Sequence, residues 1–205
     1  MSTKELTPLP LKRTIIKDSD EGDELMGYQV HTILAKEEVL NCPIFEVSHF
    51  MWTCQVRPQT FGRMGYLKGQ GLYIQMTCLE SSPKRVYQNH RENVYQDSAM
   101  EVFFAFPDAG LQQSEPPENE DVLYLNFEVN ANGAMYAQYG IGRHNRQFIT
   151  AEEYVLTGVK AVVAADQWTV ELLIPNQLLQ RVGGIAEFSE GDMFFCNFYK
   201  INTLF

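Results

Sequence analysis

The sequence is short of several things, and each shortage narrows what the protein can be. It has four cysteines, and Cys42, Cys54, Cys78 and Cys196 are widely spaced, with no CxxC pair. Each lies in an apolar run, where a thiol behaves as a small hydrophobe. The expectation is therefore four reduced, buried thiols rather than a disulfide frame. His31, His49, His90 and His144 do not fall at ligand spacing near those cysteines, which argues against a zinc site. Basic residues are outnumbered, 16 Lys+Arg against 26 Asp+Glu, for a formal net charge of −10. A surface of that sign repels phosphate backbones, so nucleic acid is not an expected partner, whereas a neutral sugar meets no such penalty. No apolar run approaches a membrane span, and residues 1–12 carry no signal-peptide core. A cytoplasmic location is expected for the sequence as it stands, and secretion only where a leader has been removed. There is no GxSxG elbow and no Ser or Cys in an activating context. Gly140, Ile141 and Gly142 lack the strand-to-helix setting that binds phosphate.

Aromatic residues and alternating patterns are what the sequence does have. Its 10 Tyr and 13 Phe suit strands, and Tyr also suits a binding face that is apolar in body and polar at its tip. Residues 71–79 set Tyr73, Gln75 and Thr77 against Leu72, Ile74, Met76 and Cys78. Residues 122–130 alternate more sharply, with Leu123, Leu125, Phe127 and Val129 on one side and Tyr124, Asn126, Glu128 and Asn130 on the other. Asn132 and Gly133 follow, a pair that tolerates positive φ at both turn positions, so 122–139 reads as a hairpin. Residues 98–106, 154–165, 167–174 and 193–199 read as further strands. Only 176–182, after Pro175 and before Gly183 and Gly184, looks helical. So many strands with so little helix indicate an all-β protein, a sandwich of two packed antiparallel sheets.

The 205 residues fit one domain. Residues 1–10, with Pro8 and Pro10, read as a loose arm. Residues 107–121, with Pro116, Pro117 and five acidic residues, read as a long surface loop. The acidic run 18–24 reads as a solvated turn. No internal repeat is visible.

Chemistry concentrates on the polar side of the hairpin. Tyr124, Asn126, Glu128 and Asn130 project from one face at alternate positions, about 7 Å apart. Amide and carboxylate groups for hydroxyls beside a ring for a C–H face are what a saccharide requires, although an ordinary solvated sheet face would show the same alternation. Glu101 and Glu128, on strands expected to be neighbours, also raise the paired carboxylates of a retaining glycosidase. Glu101 is the one charged residue in the middle of an otherwise apolar strand, so it must meet a partner such as Arg143 or Arg85 or open onto a pocket. Trp52 and Trp168 read as core residues, and Asp97 as a residue that fixes a turn.

The stretch 93–104, NVYQDSAMEVFF, resembles family 9 carbohydrate-binding modules through Tyr95, Asp97, Ser98, Glu101 and Phe103. It is still closer to stand-alone bacterial proteins built on the same domain. Trp52, Glu80 with Pro83 and Arg85, the strand YLNFEVNANGAM, Gly142, Arg143 and Arg146, and Trp168 with Ile174 and Pro175 continue the likeness across roughly residues 44–199. The resemblance implies an immunoglobulin-like β-sandwich that binds glucan or xylan-type saccharides without transforming them, in the setting of carbohydrate catabolism. It places Tyr95 at an aromatic wall usually made by Trp, Glu101 as acceptor of sugar hydroxyls, Asn126 where an Arg is usual, and Asn197 near a further polar ligand. Arg143 or Arg85 would then replace the missing Arg. The second aromatic wall of the family follows the last matched strand, whereas this sequence stops at Phe205; the expectation is a slot lacking that wall, or a sequence cut short. Structural calcium occurs among relatives, and the run 18–24 is a weak candidate for it; no other cofactor is expected. The expected binding set is Tyr95, Glu101, Asn126, Glu128, Arg143, Asn197 and Arg85. A glycoside hydrolase using Glu101 and Glu128, and an interaction scaffold without ligand, remain the alternatives.

Overall fold

A computed structural model describes residues 12–17, 27–48, 56–106 and 122–201, the first of these as backbone alone. Trp52, Cys54 and His49, the arm 1–10, the acidic run 18–24 and the loop 107–121 lie outside the described residues.

The described residues form twelve strands in chain order: β1 (Lys12–Lys17), β2 (Tyr28–Ile33), β3 (Phe45–Glu46), β4 (Thr60–Leu67), β5 (Gly71–Cys78), β6 (Ala99–Ala105), β7 (Leu123–Asn130), β8 (Met135–Ile141), β9 (Gln147–Phe148), β10 (Lys160–Val163), β11 (Trp168–Pro175) and β12 (Met193–Ile201). One sheet runs β10-β11-β5-β4-β2 with β3 on β4, the other β12-β6-β7-β8-β9, and β1 bridges them by pairing with β2 and β12. The two halves form the expected sandwich. Among the described strands pairing is antiparallel except at β1 with β2 and β2 with β4, which are parallel crossovers.

Period-two patterning explains how the halves face each other. Leu72, Ile74, Met76 and Cys78 of β5 and Trp168, Val170, Leu172 and Ile174 of β11 pack with Met100, Val102 and Phe104 of β6. Leu125, Phe127 and Val129 of β7 and Phe194, Cys196 and Phe198 of β12 complete the same core. Each inward set obliges its alternate partners onto the outer face, which is how Glu101, Asn126 and Glu128 come to share one surface.

Two local readings change. Residues 154–165 are not a strand: α1 (Ala151–Thr157) occupies the first part and β10 the last. Thr150 accepts from the Glu153 N–H while Glu153 accepts from the Thr150 N–H, a reciprocal cap, and Gly158 ends the helix at positive φ. The expected short helix is present as α2 (Asn176–Gly183), so helix is confined to more than one place. The hairpin joins β7 to β8 as expected, but only Gly133 takes positive φ, at 78°. Asn130 O accepts from Gly133 N at 2.9 Å, so the turn is built on residues 130–133 rather than on two left-handed residues.

Candidate functional site

The outer face of the β12-β6-β7-β8-β9 sheet is ordered in rows by register. Tyr199 of β12 lies opposite Glu101 of β6, Glu101 opposite Glu128 of β7, and Glu128 opposite Tyr136 of β8. The next row is Asn197, Phe103, Asn126 and Gln138, with Phe148 of β9 at its end. Neighbouring strands are about 4.8 Å apart. Two carboxyl groups therefore stand side by side with a tyrosine on each flank.

This face is polar without being freely solvated. Asn126 and Glu128 are buried, the latter only 8% exposed. Asn126 Nδ2 donates to Glu128 Oε1 at 2.9 Å. Glu128 Oε2 is buried and has among the described residues no donor but the neighbouring Glu101 carboxyl. Glu101 keeps some exposure as a residue, yet its carboxyl lies deep among its neighbours. Burial pushes the Glu101 carboxyl well above the usual carboxylate range, and the adjacent Glu128 charge adds to it, against the pull of Asn126 and Arg146. Burial raises Glu128 as well, opposed by hydrogen bonding to Glu101 and Asn126 and by Arg146. Like charges directly across a ladder are unfavourable, so the pair is a cost to the fold that a site can justify.

The cation nearest this pair is Arg146, which the expected set did not contain. Its Nη2 donates to Asn126 Oδ1 at 2.8 Å and reaches Tyr124 O and Gln138 O, while Nη1 donates to Gly142 O at 3.0 Å and reaches Gly140 O. The guanidinium lies 3.7 Å from the Tyr124 ring centroid. These acceptors fix Arg146 behind Asn126, so it acts on the carboxylates through that amide and through space rather than by a direct ion pair. Arg143, expected in this role, is exposed and lies where its charge reaches Tyr124 and Tyr199. Arg85 is not brought to the carboxylates. Its side chain is exposed, and its carbonyl accepts from Asn132 beside the hairpin turn.

Aromatic rings surround the floor. Tyr95, 40% exposed, meets Tyr136 edge to face at 5.8 Å, and Tyr136 meets Phe148 at 4.9 Å. On the other flank Phe103 contacts Tyr124 at 5.4 Å and Tyr199 at 5.3 Å. Asn197 Nδ2 donates to the Tyr199 hydroxyl at 3.0 Å and so orients that flank. Tyr95, Glu101, Asn126, Glu128 and Asn197 are thus brought to one face, with Arg143 at its rim. Tyr136, Tyr199 and Arg146 complete the face.

Other conspicuous residues are structural. Asp97 is buried, and its Oδ2 accepts from Val86 N, Tyr87 N and Asn130 Nδ2 at 2.8–3.0 Å. Asn130 Oδ1 in turn accepts from Asn132 N and Ala134 N, so the last residue of the polar stripe serves the turn. Trp168 is in the core, its indole N–H donating to Glu80 Oε2 at 2.9 Å. Glu80 also accepts from Ser98 Oγ and pairs with Lys200. Among the described residues no group of three or more His, Cys, Asp or Glu is placed to hold a metal ion. No helix among them is long and apolar enough to cross a membrane.

A β-sandwich whose outer sheet face carries aimed amides and carboxyls between aromatic rings has the build of a ligand-binding module. The chain belongs to Carbohydrate-binding family 9, matching it over residues 28–204. It is similar in fold to the crystal structure of a candidate carbohydrate-binding protein from Bacteroides uniformis ATCC 8492, with a TM-score of 0.58 at 19% identity. That similarity covers 92% of this chain and 84% of the other. No curated protein matches the chain.

Proposed function

We propose that the protein binds a saccharide without transforming it, on the outer face between Tyr136 and Tyr199. The observation that carries this reading is Glu128, a buried carboxyl whose Oε2 has among the described residues no donor but the neighbouring Glu101 carboxyl, on a floor flanked by rings. A sugar hydroxyl supplies a further donor, and a ring stacks its C–H face. Tyr95 forms the exposed wall, Glu101, Asn126 and Glu128 the floor, and Arg143 and Asn197 the edge. A glucan or xylan-type chain, and a place in bacterial carbohydrate catabolism, extend the family membership. The free, buried thiols of Cys42 and Cys78 support a reducing compartment.

The raised carboxyls favour a second reading, an O-glycosyl hydrolase using Glu101 and Glu128. Against it, retaining enzymes place two carboxyls on either side of the scissile bond. Here both rise from adjacent positions of one sheet face, and a sugar laid on that face meets them from the same side. A glycan array followed by thermal shift separates the two. Stabilisation of several degrees by a saccharide recovered intact supports binding, release of reducing ends indicates hydrolysis, and neither effect with any glycan sinks both.

A further inference from the structure

We infer that the saccharide this face selects carries an ammonium group, as an amino sugar does, and that Glu101 and Glu128 are its cation site. The inference rests on the carbohydrate-binding reading and narrows it to a substrate class.

Three observations lead there. Glu101 and Glu128 are directly opposed on neighbouring strands, so their carboxyls must share a small volume. Among the described residues neither forms a hydrogen bond or ion pair with a Lys, Arg or His. Half-buried Arg146 beside them directs its N–H groups at four backbone carbonyls and the Asn126 amide instead. Finally, Glu128, only 8% exposed, has among the described residues no donor for Oε2 other than a proton shared with the Glu101 carboxyl.

A buried pair of this kind is completed either by a proton or by an external cation. A neutral hydroxyl offers one donor to two carboxyls and leaves their repulsion in place. An ammonium offers three donors and a full positive charge, enough for Glu128 Oε2 and Glu101 together. The flanking rings suit the same guest. Tyr136 and Tyr199 stand one strand to either side of the pair, and a cation held between tyrosine faces gains from their quadrupoles. The net charge of −10 favours approach of a cationic ligand further. Arg146, fixed behind Asn126, donates its N–H groups to those carbonyls and to Asn126 and none to either carboxyl.

The test compares three monosaccharides of similar size by NMR titration of the intact chain at about pH 7: glucosamine, glucose and N-acetylglucosamine. Glucosamine is expected to bind at least about tenfold more tightly than either neutral sugar, a preference that falls towards unity in Glu128→Gln and in Glu101→Gln. Circular dichroism and thermal melts of both variants establish that each is folded, and if one fails the other carries the comparison. If neither folds, the wild-type preference decides alone. Equal or tighter binding of glucose overturns the ammonium inference and leaves saccharide binding intact, as does a preference that survives in a folded variant. No chemical-shift change with any of the three overturns this inference, while the array decides the broader reading.

Discussion

Glu101 faces outward from β6 beside Glu128, with Tyr199 and Asn126 around it, and does not anchor the core. Glu101→Gln should therefore fold normally and weaken saccharide binding by about 1.5–3 kcal/mol, the range for a hydrogen bond to a charged group. Isothermal titration of a saccharide found by array checks this; undiminished affinity in the folded variant would remove Glu101 from the site. The same pair sets a pH dependence. Burial raises both carboxyls, Glu128 to about 7, against about 4.3 in an unfolded chain. A raised carboxyl contributes stability that is fully present below the unfolded value and lost as pH rises through the folded one. Glu153 and Glu171 are lowered and tilt the total the other way, so the informative quantity is wild type compared with Glu128→Gln. Urea midpoints should show the wild type losing ground to the variant between about pH 4 and pH 7. A difference that is flat across that window would mean the pair is not strained by burial.

Among the elements, the hairpin was the most legible and α1 the least. Strict alternation over 122–130 placed Leu125, Phe127 and Val129 in the core and Asn126 and Glu128 on the face, because a strand's side-chain period admits no other division. The sequence of α1 carries β-branched Val155 and Thr157 in a run that resembles a strand. Its helical signals were Thr150, Glu153 and Gly158, a cap at each end, and burial does not follow apolarity there, since Val155 is 79% exposed. The flanking tyrosines were visible as residues but not as flanks. Tyr136 and Tyr199 join the site only through strand register, which depends on pairing between distant segments. Arg146 arrives from the turn between β8 and β9, and no local pattern announces which carbonyls it will meet. At the hairpin, Gly133 has φ 78° and a Cβ there would come 3.2 Å from Ala161 N. Gly133→Val should destabilise by roughly 1–2 kcal/mol or more, read as a lower urea midpoint. An unchanged midpoint would place the constraint elsewhere.

At the scale of the molecule, β1 makes the two halves one hydrogen-bonded ladder, and the central core is shared between them. Cys78 lies on one side of that core and Cys196 on the other. Cys42 packs in a second cluster, with Ile33, Val39, Leu67, Tyr73 and Leu173, under the turn of 3-10 helix at Lys36–Asn41. All three side chains are buried, and burial pushes the free thiols of Cys42 and Cys78 up, which leaves less of the reactive thiolate. Each therefore reports an opening of the fold. A thiol-specific reagent added to the native protein should modify these three slowly and modify all of them at once in denaturant. The rates for Cys78 and Cys196 should fall together, because the same packed core must part before either is reached. Cys42, under a single 3-10 turn, should react ahead of them if that turn opens by itself. Peptide mapping after timed labelling assigns the rates. Rapid native modification of Cys78 or Cys196, or a disulfide between any of the three in freshly purified protein, would contradict a core shared by both sheets.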